Sequence, residues 1–325
     1  MVSAPLGDDV LNEDPTVRRL ESLLAAKFGK ASGLFFPSGT MSNLCSIMAH
    51  CHGRGSEAIL GKNSHLCLYE HGNLSGLASV HSRQIEESVD ATLPIDEVIA
   101  SIREDDPHYP KTAVVCIENT HNVLGGVPLG ASYVDELGSV LRSRGVPLHI
   151  DGARIFNACA SLNVSPSALC ANADSVSICL SKGLGCPVGS VLVGSEELIY
   201  FARRQRKACG GGMRQAGVLA AAGIFAVENN VDRLTEDHER ASYLCSVISA
   251  AGYVVKKEPQ TNLFFFGLPQ GARVTLDDVV EGAGEENVLF GGGYSLGTQC
   301  RLAVHKHVTD SDVERAASLI ASMLK

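Results

Sequence analysis

The chain of 325 residues lacks several features that would mark other kinds of protein. It has no C-x-x-C pair, no long apolar run and no excess of positive charge. Lys and Arg number 27 against 36 Asp and Glu, a formal net charge of −9, which argues against nucleic acid or an anionic membrane as the main partner. The eleven cysteines are odd in number and scattered, and several sit in apolar runs, such as Cys116 in VVCI and Cys179 in SICL. They read as buried free thiols in a reducing compartment, not as a disulfide framework or a zinc site. The opening MVSAPLGDDV carries no basic stretch and no apolar core, so it does not read as a signal peptide. The longest strongly apolar stretch, Val218–Val227, is too short to span a bilayer. A cytoplasmic location is expected. Neither GxxxxGK[ST] nor GxGxxG occurs, so the usual nucleotide loops are absent.

What is present is 45% hydrophobic residues, 19% charged residues and 33 glycines. That mixture excludes a mostly disordered chain and suits a glycine-looped α/β enzyme of two domains. Asp14-Pro15 opens a helix, with Asp14 as N-cap and Pro15 in the first helical position. Short apolar strands are expected at 34–36, 112–117, 146–150, 175–180 and 188–193, and helical runs at 41–50 and 133–142. Near-continuous apolar strands alternating with helices predict a mainly parallel sheet covered on both faces. Ligands of such sheets bind at the carboxyl ends of strands. Strand-like runs at 253–257, 263–266 and 301–305, and helical patterns at 231–250 and 311–324, predict a smaller C-terminal α+β domain. The expected division is 1–235 for the large domain and 236–325 for the small one.

Polar residues gather at the expected strand ends. Lys182 follows a buried strand and is flanked by Ser181 and the glycines 183, 185 and 189; a buried lysine there suits carbonyl chemistry, and a solvated strand-end lysine is the plain alternative. Asp151 ends VPLHID and could hold a metal, orient a histidine, pair with a pyridinium nitrogen or cap a helix. Ser38-Gly39-Thr40, between a strand and a helix, could cradle a phosphate with help from the helix dipole, or simply cap that helix. A lysine, an acid and an anion site are together what pyridoxal 5'-phosphate (PLP) requires. His65 and His121 are candidates for stacking or proton transfer, against the plainer reading of structural histidines. Arg154, Lys207, Arg214 and Arg301 are candidate anion contacts. Lys207, in RRQRK, could equally belong to a solvated face. The pair His305 and His307 has no visible ligand cluster, and no metal is assigned.

The segments GDDVLNEDPTV (7–17), FFPSGTMSN (35–43), IENTHN (117–122), HIDGARIFNA (149–158), ICLSKGLGCPVGS (178–190) and RKACGGGMRQAGVLAAAG (206–223) resemble the low-specificity L-threonine aldolases, β-eliminating lyases of the aminotransferase-fold (fold type I) PLP class. With weaker matches such as QTNLFFF and RLAVH, the resemblance covers nearly the whole chain. It implies a fold type I large domain with a mainly parallel sheet and PLP as cofactor. It further implies cleavage of L-threonine or L-allo-threonine, 3-hydroxy amino acids, to glycine and acetaldehyde. On this resemblance Lys182 would bind PLP covalently and Asp151 would pair with its ring nitrogen. Ser38, Gly39 and Thr40 would cradle the phosphate, and His65 would stack on the ring. His121 would lie on the substrate hydroxyl side, and Arg154 and Arg301 would bind the substrate carboxylate. Arg154 is also counted among the cofactor contacts, with Lys207 and Arg214, which would reach across a subunit boundary in a homotetramer built as a dimer of dimers.

Two departures stand out. Family members usually begin with a further segment whose Ser-Asp-Thr run helps hold the substrate carboxylate, and here only the six residues MVSAPL stand before GDDV. The position after Asp8-Asp9-Val10, often aromatic, is Leu11. The expectation is either a start upstream of Met1 or, for a truncated chain, substrate binding weakened by about 1.5–3 kcal/mol for a lost bond to a charged group. The alternatives to an aldolase are another PLP reaction on the same fold, β-elimination or racemisation, and a truncated non-catalytic subunit.

Overall fold

A computed structural model describes residues 1–52 and 54–324, the side chains of 295 and 296 excepted. The chain divides into two compact units, one of Met1–Leu124 with Pro128–Val231, the other of Gly125–Val127 with Asp232–Lys325.

The first unit is built on a seven-stranded sheet. In chain order its strands are β1 (Ser32–Phe36), β2 (Ser56–Gly61), β3 (His81–Ile85), β4 (Lys111–Glu118), β5 (Leu148–Gly152), β6 (Ser175–Cys179) and β7 (Ser190–Gly194). Their order across the sheet is β1-β7-β6-β5-β4-β2-β3. Pairings among β2 to β6 are parallel, and only β7 runs against its neighbours. The expected mainly parallel α/β sheet is therefore present. Every residue of β2, β5, β6 and β7 is buried, as a sheet covered on both faces requires. Asp14 caps the helix Pro15–Lys27 through the amides of Thr16 and Val17, with Pro15 at its start.

Strands β2 and β3 escape the periodicity argument. The run SEAILG buries Glu57, and β3 is a half-exposed edge strand of sequence HSRQI, so neither shows an apolar stretch of the expected kind. Some predicted boundaries also move. The helix expected from 41 begins at Gly39, the one expected from 133 begins at Ala131, and the charged helix expected from 231 begins at Leu234. The triple glycine at 210–212 leads into irregular chain before the helix Gly217–Asn229.

The second unit holds a three-stranded antiparallel sheet of β8 (Leu263–Phe266), β9 (Gly291–Gly293) and β10 (Gln299–Ala303), in the order β8-β10-β9. Helices Leu234–Ala250, Leu276–Glu285 and Asp310–Met323 supply its core, where Leu244, Ile248, Val313 and Ile320 surround Phe264 and Phe266. The strand expected at 253–257 is a correction: only Val254 pairs, in an isolated bridge to Gly267. The chain bends at Lys256-Lys257, and Pro259, lacking an N–H, cannot extend a ladder.

Candidate active site

The parallel strands β4, β5 and β6 end side by side. Glu118 pairs in register with Asp151, and Asp151 with Ser177. Beyond those ends lies a cavity of about 280 Å³ lined by Ser38, Gly39, Thr40, Asn43, His65, Glu70, Asp151, Ser181 and Lys182 among others. Four separate segments of the chain thus meet at one place. Of the residues singled out by sequence, Lys182, Asp151, Ser38, Gly39, Thr40 and His65 line it.

Local structure explains the positions. Asp151 stands next to last on β5, and its Oδ1 accepts the amide of Ala153 at 3.1 Å. It does not cap the following helix, Ile155–Leu162, whose N-cap is Arg154. Gly152 is required because a Cβ there would lie 2.8 Å from the Ser177 carbonyl oxygen on β6. Ser38 caps the helix Gly39–His50, accepting the Met41 amide at 3.2 Å, so the plainer reading of its hydroxyl holds. The amide end of that twelve-residue helix opens at the cavity, where the helix dipole favours an anion. At Gly39 a Cβ would stand 2.6 Å from Cys179 Sγ, so the chain can enter the helix this close to β6 only without a side chain.

Several groups of the site were not reached from sequence. Asn43 Nδ2 donates to Asp151 Oδ2 at 2.9 Å and to Glu70 Oε1 at 3.0 Å. Glu70 in turn bonds His65 Nδ1 at 3.0 Å. That bond holds the His65 pKa above its ordinary value against the opposing effect of burial, and the charge of Asp151 adds to the rise. Ligand-type atoms of His65, Glu70 and Asp151 all lie within 4.8 Å of one another. Buried Glu118 accepts the His65 amide at 2.8 Å and the Asn122 amide at 2.9 Å, tying two loops together. Burial pushes its carboxyl pKa up, and the neighbouring Asp151 charge adds to the effect. Asn43 had a signal, since it lies one helical turn beyond Gly39. Glu118 had one too, as the polar residue that ends the strand expected at 112–117, whereas Glu70 and Glu87 follow no such pattern.

His121 is buried and does not line the cavity. Its Nε2 bonds Glu87 Oε1 at 3.2 Å, and its Nδ1 accepts the Leu124 amide at 3.4 Å. Burial works to lower its pKa, but Glu87, with the Glu118 and Asp151 charges, outweighs burial and the net shift is upward. Arg154 Nη1 donates to Asn122 Oδ1 at 3.3 Å. Lys207 is exposed, and the buried member of its basic run is Arg206, which pairs with Asp9 at 2.8 Å. Arg214, also exposed, pairs with Asp8 at 2.5 Å. Arg301 lies on β10 of the second unit, its guanidinium 5.1 Å from the Tyr294 ring centre. All eleven cysteines are free, nine of them buried and Cys67 and Cys209 partly so.

An α/β sheet with one reversed strand, and a lysine, a buried aspartate and a histidine at the ends of its parallel strands, defines an enzyme of the aminotransferase-like fold type I class. The solved threonine aldolase of Leishmania major shares this fold, with a TM-score of 0.82 at 17% identity over 96% of this chain and 91% of that one. Residues 1–269 match the beta-eliminating lyase family, and the chain belongs to it. Among its curated relatives are the low-specificity L-threonine aldolase 1 of Arabidopsis thaliana, 42% identical over 98% of this chain and 89% of that protein, and the low specificity L-threonine aldolase of Escherichia coli K12, 40% identical over 98% and 92%. Among the described residues no helix is long and apolar enough to cross a membrane.

Proposed function

We propose that the chain is a PLP-dependent aldolase that cleaves L-threonine and L-allo-threonine to glycine and acetaldehyde. The observation that carries this reading is the convergence of Lys182, Asp151 and the Ser38-Gly39-Thr40 turn on one cavity from three distant segments. The donor set fits the cofactor: an amine for its aldehyde, a buried carboxylate for its ring nitrogen, and a helix amide end for its phosphate. When bound, PLP supplies an electron-accepting ring into which the Cα–Cβ bonding electrons can pass. The names of the relatives support the same substrate class.

The residues then divide the work. Lys182 would hold the cofactor through its amine. Asp151, fixed by Ala153 and Asn43, would pair with the ring nitrogen. His65 is oriented through Nδ1 by Glu70, which leaves Nε2 to take the proton of the substrate's 3-hydroxyl. His121 has both ring nitrogens engaged in the wall formed with Glu87 and positions the hydroxyl side of the site. Arg154 binds the substrate carboxylate. Lys207 and Arg214, exposed and outside this cavity, are assigned to the cofactor phosphate of a neighbouring copy in a cytoplasmic homotetramer. Cofactor binding belongs to residues 1–235, with 236–325 as the small domain.

The test is a coupled acetaldehyde assay on the purified chain, with threonine and allo-threonine, with and without added PLP. Equimolar glycine and acetaldehyde that depend on PLP support the reading. Pyruvate from serine, with no acetaldehyde from threonine, would overturn it in favour of elimination.

A further inference from the structure

Behind Asp151 a chain of buried polar groups runs away from the cavity, and its directions can be deduced one bond at a time. Two carboxylates, Asp151 and Glu70, converge on the same amide nitrogen of Asn43, at 2.9 and 3.0 Å. Only the NH₂ end of an amide can face both. Asn43 Oδ1 therefore points the other way, to His149 Nε2 at 3.3 Å, and that nitrogen must carry a hydrogen. His149 Nδ1 is then an acceptor, and it faces the hydroxyls of Ser175 at 2.8 Å and Ser46 at 3.1 Å. Ser175, the nearer of the two hydroxyls, is assigned as the donor to His149, and its Oγ then accepts from His50 Nε2, 2.8 Å away, while the Ser46 hydroxyl stands 3.4 Å from it. His50 in turn lines a second cavity, of about 420 Å³, with His52, Lys111 and Asp174.

From this geometry we infer that His50, Ser175 and His149 are positioning residues that hold the Asn43 amide in the one orientation able to grip Asp151 and Glu70. Every bond in the series donates toward the carboxylates, so each polarises the next. The assignment requires His149 to be neutral, and burial supports this by pushing it down to about 3, as it pushes its neighbour His50 down to about 4. Without His149, Asn43 Oδ1 would lose its donor, and the amide would be held only by its two carboxylate partners. The aspartate proposed for the ring nitrogen and the glutamate that orients His65 would then share a less firmly held donor. This inference deepens the PLP reading and rests on it for its functional consequence. The direction of the chain does not depend on that reading.

The first measurement is nitrogen NMR of the full chain labelled at histidine, without added PLP. His149 and His50 are expected as neutral Nε2–H tautomers at neutral pH. An imidazolium or an Nδ1–H tautomer at His149 overturns the inference. The second measurement is PLP affinity, followed by visible absorbance. His149→Leu is expected to weaken binding about tenfold, the scale of one lost bond to a charged group. His149→Gln, whose amide N–H can reach Asn43, is expected to recover most of that loss. Equal affinity of the folded Leu variant and the parent chain overturns the positioning role. If the Leu variant does not fold, the double change Ser46→Ala, Ser175→Ala removes only two hydroxyl oxygens. It is expected to weaken PLP binding in the same direction as His149→Leu, and an unchanged affinity overturns the positioning role of the series. Should the parent chain itself fail to bind PLP, the functional reading fails while the tautomer result stands.

Discussion

The two units bury different things. The first encloses ionisable side chains throughout, among them Asp9, Glu21, Glu70, Glu118, His149 and Asp151. Among the described residues, the buried polar side chains of the second are Asp237, Thr261 and Asn262, with Asp237 paired to Arg233 at 2.7 Å. Around them the second unit packs aliphatic and aromatic groups, and it meets its helix ends with capping boxes at Thr275 and Thr309. One unit accepts the cost of desolvating charge in order to aim it at a cavity. The other follows the ordinary economy of a hydrophobic core. Burial alone therefore does not separate structural from chemical residues; what is buried, and what it bonds, does.

The sharpest way to break this contrast is at Lys182. Lys182→Ala is expected to lower threonine cleavage at least ~1,000-fold, about 4 kcal/mol in the barrier, with little change in thermal unfolding. Undiminished turnover would remove the chemical role assigned to the first unit. In the second unit Phe266→Ala is expected to cost about 3–5 kcal/mol of stability, because it empties a fully buried aromatic site between β8 and the helices. Denaturant unfolding reads this loss, and a change under about 1 kcal/mol would show that the core is not the main support of that unit.

A third test separates buried charge from buried carbon by pH. Burial pushes the Glu21 carboxyl from 4.5 up to about 7, although the Arg203 charge pulls the other way. Its folded pKa exceeds its unfolded one, so the folded chain binds more protons between those values and this group costs stability as pH rises through that window. Glu21→Gln does not ionise and can still accept from the Phe35 amide that Glu21 Oε1 now holds at 2.8 Å. The variant should gain on the parent between pH 5 and pH 8, by at most about 3 kcal/mol. Urea unfolding at the two pH values measures it, and an equal difference at both would mean that burial does not raise the carboxyl pKa above its unfolded value. The smallest effect is at a cap: Thr309→Ala should cost about 1 kcal/mol, seen as a modest drop in the melting temperature.

Much of the first unit was legible from local pattern. The Asp14-Pro15 start, five of the strands and the polar residues at their ends follow from apolar runs and turn chemistry. These signals are local, because each depends on residues within a few positions of one another. Strand β3 was hidden because an edge strand need not be apolar, and β2 because it buries a glutamate. Within the site, Lys182, Asp151, His65 and the 38–40 turn stood out as polar groups next to apolar strands. Glu70 did not, and Asn43 and Glu118 showed only their places beside a turn and at a strand end, since the bonds that tie them across the site reach partners 27 to 108 residues away. Lys207 drew attention as part of a basic run, yet the fold buries Arg206 instead, one position earlier on the helix Glu196–Ala208.

By itself the sequence determined the alternation of strand and helix, and the placing of a lysine, an aspartate and a Ser-Gly-Thr turn at strand ends. It did so because apolar periodicity, caps and glycines act over short stretches of chain. Only the tertiary structure decided which acid faces which donor. The register of β4, β5 and β6 sets Glu118 beside Asp151, and the helix Gly39–His50 carries Asn43 to both Asp151 and Glu70. Hydrogen bonds act over about 3 Å, and no local pattern brings such distant residues that close.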